Sequence, residues 1–227
     1  MLSDEHLMHT ILNSMKNLVI SGDSFCSDSV GWPGMLAQQL NLNLICNGFS
    51  GHHWWQIRKS LIEQVNADTD LIIICQTDTS RIPVSEYNTE YSLLPQTKKE
   101  QLANDYRVYI ENAEYSEWAQ LKWFEEIEQL WPHIKKCHLH CFPWTIKFKD
   151  SLKGMQVLPN LAAMSLNEIN AQDFKLINDT RANHFSWNNN RVIGRQLAAM
   201  LQNYSEREER FDIAEFNLPT TKWFDWS

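Results

Sequence analysis

Apolar residues fall along the chain in short runs that alternate with longer stretches repeating every three or four positions. Met15 to Ile20 is such a run, closed by Ser21-Gly22-Asp23-Ser24. A short apolar run bounded by turn residues predicts a buried strand that ends in a loop. Pro33 suits the first turn of a helix, where a missing N–H is tolerated, and Met35, Leu36 and Leu40 follow at helical spacing. Leu42 to Cys46 repeats the strand pattern and is stopped by Asn47-Gly48 and Ser50-Gly51. Trp54, Ile57, Leu61 and Val65 then predict a second helix, and Leu71 to Cys75 a third buried strand.

The second half is less regular. Gln76 to Thr97 holds turn residues and little periodicity, which predicts a long surface loop. Helical spacing resumes from Lys98 to Tyr109 and again through Leu121, Phe124, Ile127 and Trp131, with Pro132 as the stop. Lys136 to Phe142 predicts a strand ended by Pro143. Lys147 to Asp173 has no clear period, although Ser165-Leu166-Asn167-Glu168 has the spacing of a helix capping box. A final helix is capped by Ser186 and carries the apolar stripe Ile193, Leu197, Met200 and Leu201. The run Glu206-Arg207-Glu208-Glu209-Arg210 reads as a solvated helix end, and the tail through Ser227 as a segment docked on its own domain. Strand and helix alternate throughout, so the expected class is α/β, one domain over residues 1–227 with a sheet covered by helices on both faces.

Composition narrows the functions open to such a domain. Of 227 residues, 43% are hydrophobic and 21% charged, which fits a packed globular chain and disfavours disorder. The net charge of -8 and pI near 5.5 repel a phosphate backbone, so no nucleic-acid partner is expected. No run of about 18 apolar residues exists, so no membrane partner is expected. Asp4, Glu5, His6 and His9 at the start do not make a secretory leader, and the expected location is the cytoplasm. The five cysteines are odd in number and three sit in strand-like segments, which favours free thiols. Cys137-His138-Leu139-His140-Cys141 has the residue types of a zinc site, but in a strand the thiols and imidazoles face opposite ways. No metal site is expected there.

In an open α/β sheet, ligands bind beyond the carboxyl ends of the strands. The loops at those ends carry Gly22-Asp23-Ser24, Gly48 to Gly51 and Gln76-Thr77-Asp78. Ser24, at the end of the first strand and before a helix, lies where backbone N–H groups could meet a developing oxyanion. A serine nucleophile needs a base, and Asp179-Thr180-Arg181-Ala182-Asn183-His184 places a carboxylate and an imidazole in one loop ahead of the last helix.

Ile20-Ser21-Gly22-Asp23-Ser24-Phe25 resembles the first block of the SGNH, or GDSL-type, serine hydrolases, Asn47-Gly48-Phe49-Ser50-Gly51 the second, and His184 with its following helix the last. The resemblance runs from residue 17 to about residue 201. It implies a three-layer α/β/α sandwich with a mostly parallel, flavodoxin-like sheet, and an esterase acting on a carboxylic ester, acetyl or short acyl, of a small molecule or glycan. It further implies Ser24 as nucleophile, His184 as general base, and backbone N–H groups of Ser24 and Gly51 in the oxyanion hole, with no metal or organic cofactor.

Two departures from the family pattern matter. The third block, normally Gly-x-Asn-Asp, reads Cys75-Gln76-Thr77-Asp78, so Thr77, or else the Gln76 amide, would replace the asparagine donor. The acid, normally three residues before the histidine, is displaced by Arg181. Asp179 would then orient His184, the alternative being a backbone carbonyl and a Ser-His dyad. Asp23, Gln76, His52, His53 and Arg181 are the candidates for lining the substrate site. The same departures motivate an alternative, a catalytically degraded module that binds glycan or protein without turnover.

Overall fold

The computed structural model describes residues 15–79, 81, 95–110, 112–165 and 184–218. Among the described residues, six strands form one sheet: β1 (Asn17–Gly22), β2 (Asn43–Gly48), β3 (Thr69–Gln76), β4 (Lys135–His140), β5 (Met155–Leu158) and β6 (Glu208–Arg210). Their order is β2-β1-β3-β4-β5-β6, and all five pairings are parallel. Parallel neighbours require crossovers, which are supplied by α1 (Trp32–Leu40), α2 (Trp54–Gln64), α3 (Gln96–Tyr109) with α4 (Ala113–Leu130), and α5 (Trp187–Gln202). The first five strands therefore follow the flavodoxin-like doubly wound order, and the chain reverses direction across the sheet between β1 and β3.

Strand alternation divides the interior in two. Leu18, Ile20, Leu71, Ile73 and Leu139 face α1 and α5 with Trp32, Leu36, Ile193 and Leu197. Val19, Ile72 and Ile74 face α2 and α4 with Ile57, Leu61, Trp123, Phe124 and Ile127. A sheet buried on both sides explains why the strands read as continuous apolar runs. The expected α/β/α sandwich is thus the observed one, with every strand parallel.

Two strands were not visible in the pattern. Met155–Leu158, inside the stretch without a period, is the short β5. The charge run expected to end a helix is instead β6, whose residues 208–210 pair with 156–158. The physical reason is position at the sheet edge: Lys149 reaches Glu208, and Arg210 pairs with Glu208, so the polar strand needs no apolar partner layer. Beyond it, Phe211 and Phe216 are buried in the α1/α5 core. The predicted capping box at Ser165 to Glu168 falls largely outside the described residues. Among the described residues, no helix is long and apolar enough to cross a membrane.

Candidate active site

The site is built where β1 ends. Asp23 caps a single 3-10 turn, Ser24–Cys26, its Oδ1 accepting from the Phe25 N–H at 3.0 Å. Ser24 therefore opens a tight turn, whereas α1 starts only at Trp32. The helix expected from Pro33 is this α1, with Pro33 in its first turn. The turn lies hard against the neighbouring strand: a Cβ on Gly48 would sit 2.5 Å from the Cys26 backbone carbonyl. Gly48 is thus required by close approach. Gly51 is required by conformation, with φ +79 and open space around it, the left-handed geometry that glycine adopts without strain.

His184 comes to this turn from the far end of the sequence. Its ring stacks on that of Phe25, the residue after Ser24, with centroids 5.0 Å apart and planes at 25°. Both Ser24 and His184 are buried. The approach is fixed by the expected cap Ser186 and by Asn190 and Trp32, which the sequence pattern did not single out. Ser186 caps α5 by accepting from the Asn189 N–H. Asn190, on the first turn of α5, accepts from the Trp32 N–H at 2.8 Å and donates to the Phe185 and Ser186 carbonyls. The Trp32 indole N–H in turn donates to the Phe25 carbonyl at 2.8 Å. One amide thus joins the start of α1 to the start of α5, and the indole beside it holds the Ser24 turn.

Asp23, expected to line the substrate site, is fully buried, and its carboxylate is taken up by protein groups. Cys141 Sγ donates to Oδ1 at 3.3 Å, Thr77 Oγ1 to Oδ2 at 3.4 Å, and Arg81 pairs with Oδ2 at 3.0 Å. Thr77 was expected to present its hydroxyl to an oxyanion. It is 1% exposed, and a buried carboxylate beside it is the stronger acceptor, so the hydroxyl braces Asp23 instead. Gln76 is corrected too. The pleat of β3 turns it to the α2/α4 side, where its Oε1 accepts from Gln120 at 3.2 Å and its Nε2 meets His138 Nδ1 at 3.1 Å. Its amide is engaged inside the fold, so it is neither oxyanion donor nor substrate contact.

Arg81 is a residue of this region to which the sequence pattern did not point. A turn closed by its N–H on the Asp78 carbonyl brings it back over the sheet. From there it pairs with Asp23 after β1, donates to the His52 carbonyl after β2 at 3.2 Å, and lies 5.4 Å above the Phe142 ring after β4. One guanidinium ties together loops from three strands. The only hint in the sequence is a cation placed in a polar loop after β3.

The two adjacent histidines differ in their tasks. His52 is buried, its ring tilted on Phe49 at 5.2 Å. His53 caps α2: Nδ1 accepts from the Trp55 N–H at 3.1 Å, and Gln56 Oε1 accepts from the His53 N–H at 2.8 Å. An accepting Nδ1 requires a neutral ring, and burial, with the Arg81 charge nearby, pushes its pKa down to about 4. On β4 the alternation is as expected. Cys137 and Cys141 enter the α1/α5 core, while His138 and His140 face the other way. His138 donates through Nε2 to the Lys153 carbonyl, and burial lowers its pKa to about 3. Burial also raises the Cys137 thiol to about 12 and the Cys141 thiol well above its ordinary value, so neither is a ready thiolate. Asp179 and Arg181 lie outside the described residues.

Among known proteins, no family model and no curated sequence matches the chain. Two solved structures are similar to it. One, provisionally described as a lipolytic protein of the G-D-S-L family from Desulfitobacterium hafniense DCB-2, is 16% identical with a TM-score of 0.39, covering 81% of this chain and 98% of that one. Another, provisionally described as a platelet activating factor from Streptococcus pneumonia, is 12% identical with a TM-score of 0.31, covering 93% of this chain and 84% of that one.

Proposed function

We propose that the protein is a serine hydrolase of the SGNH type that cleaves a carboxylic ester, acetyl or short acyl, on a small molecule or glycan. The observation that carries this reading is the stack of His184 on Phe25, which sets a candidate base one residue from a candidate nucleophile at the carboxyl end of β1. Ser24 Oγ attacks the ester carbonyl carbon as its proton passes to His184, and the carbonyl oxygen becomes an oxyanion met by the N–H groups of Ser24 and Gly51. Collapse expels the alcohol, protonated by the imidazolium, and leaves an acyl-Ser24. Water, deprotonated by His184, then releases the acid. Asp179 orients His184 and stabilises the imidazolium.

One observation favours a second reading, a module that binds glycan or protein without turnover. The Thr77 hydroxyl, which stands where the family carries its third oxyanion donor, is spent on Asp23. Loss of one such donor costs about a hundred- to thousand-fold in rate. The test is intact-mass detection of covalent labelling by a fluorophosphonate on the wild type and on Ser24→Ala and His184→Ala. A single adduct on the wild type that vanishes in Ser24→Ala and slows at least a hundredfold in His184→Ala is expected for the hydrolase. A folded wild type that takes no adduct would move the conclusion to the binding module.

A further inference from the structure

The outer edge of β2 borders a groove that the hydrolase reading does not use. α2 has two faces: Ile57 and Leu61 are fully buried against the sheet, while Lys59, Ser60, Glu63 and Gln64, paired one helical turn apart, line the groove. β2 is the outermost strand, so among the described residues no further strand fills that space. The groove encloses about 430 Å³, a size usual for small-molecule sites.

The opposite wall is the end of β2. Strand alternation turns Asn47 to the same face as Ile45, which packs in the α2/α4 core, so the Asn47 amide is directed toward α2. Phe49, just past the strand, is 62% exposed and contributes ring surface to the groove. Two polar atoms of these walls are left over: Asn47 Nδ2 and Ser60 Oγ are covered from water and have no hydrogen-bond partner among the described residues. A buried donor without an acceptor lowers stability, and an oxygen brought to either removes that penalty. Both residues are half-buried, so rotation about one side-chain bond brings either group to the groove.

The chemistry of the walls selects the ligand. Lys59 and Glu63 pair at 3.9 Å, so one charge of each sign is present and neither an anion nor a cation is favoured. Asn47, Ser60 and Gln64 are neutral, and each both donates and accepts. A hydrocarbon would strand these groups, whereas hydroxyls, donor and acceptor at once, satisfy them. Phe49 adds a flat surface for the C–H face of a ring.

We propose that the groove between β2 and α2 binds a neutral polyhydroxylated ring, a sugar residue, with Asn47 and Ser60 as its hydrogen-bonding anchors. The strand end that forms its wall also touches the Ser24 turn, through Cys46 Sγ on the Cys26 carbonyl at 2.9 Å. The site does not require Ser24 to be a nucleophile, so it stands or falls apart from the hydrolase reading.

The test is an NMR titration of the full-length protein with methyl glucoside, methyl galactoside, methyl mannoside and N-acetylglucosamine, and with cyclohexanol as a ring bearing one hydroxyl. A saturable shift of the Asn47 side-chain NH2 signals with at least one sugar, and none with cyclohexanol at the same concentrations, is expected. Followed through the backbone signals of α2, Asn47→Leu and Ser60→Ala each weaken that binding about tenfold. Ser60→Ala removes a single hydroxyl from a helix surface and carries the comparison if Asn47→Leu does not fold. No shift with any sugar overturns the site. An equal shift with cyclohexanol overturns the ligand class, and sugar binding that is unweakened by the substitutions lies elsewhere and overturns the groove. The outcome is read from binding alone, so failure of Ser24 to take a fluorophosphonate leaves it unaffected.

Discussion

Each candidate residue is decided by what its side chain faces. Ser24 and His184 could be picked out in the sequence because a serine after a buried strand and a histidine before a capped helix are the residue types that acyl transfer needs. Thr77 had the right position and a capable hydroxyl, but its nearest acceptor is Asp23 Oδ2 at 3.4 Å, which no local pattern reveals. Thr77→Asn is therefore expected to give no gain in esterase rate, because the amide would meet the same carboxylate. A rise of tenfold or more in kcat on a short acyl ester would show that position 77 does serve the oxyanion. Gly48 illustrates the opposite case. Asn47-Gly48 reads as a mere turn, while its real constraint is the Cys26 backbone, which cannot give way to a Cβ.

Between elements, the contacts that assemble the site join residues far apart in the chain. Asn190 reaches Trp32 across 158 positions, and Arg81 reaches three post-strand loops. Arg81→Met leaves the buried Asp23 carboxylate without its charge partner, and truncating one side of such a pair typically costs about 3 kcal/mol. The expected result, read by urea denaturation, is a loss of about that size together with a fall in labelling of Ser24. Arg81→Lys keeps the charge but not the fork that serves Asp23 and the His52 carbonyl at once, so it is expected to recover stability in part and labelling less. If Arg81→Met retained wild-type stability and labelling, the three-loop clasp would have no energetic content. Asn190 works on the same scale without charge, joining the Trp32 N–H to the Phe185 and Ser186 carbonyls that follow His184.

At the scale of the molecule, three buried imidazoles couple stability to pH. His53 and His140 are pushed down to about 4 and His138 to about 3, each chiefly by burial. In the unfolded chain they titrate near 6.5, so between about 6.5 and 4 the unfolded state holds protons that the folded state does not. Their contribution is complete above about 6.5 and is lost as pH falls toward the folded values, at up to about 1.4 kcal/mol per pH unit for each ring. The melting temperature is thus expected to fall steadily from pH 7 to pH 4.5. His53→Asn, which preserves a capping side chain and removes one titration, should make the decline shallower. A flat profile over that range, or an unaltered slope in the variant, would contradict the buried neutral state of these rings.

The sequence by itself determined the fold class and the order of the elements from β1 to β4. Apolar runs of strand length, alternating with helical periods, are local signals of burial on both faces, and they placed four of the strands, the loop that carries Ser24 and the helix after His184. It did not determine β5 and β6, because a four-residue strand and a charged edge strand carry no periodic signal; neighbouring strands create them. Nor could it say that Gln76 turns away from the site, that Thr77 and Asp23 satisfy each other, or that Arg81 clasps three loops. Those outcomes follow from which buried polar groups meet across the sheet, and a buried donor or acceptor is assigned by its nearest partner in space, not by its neighbours along the chain.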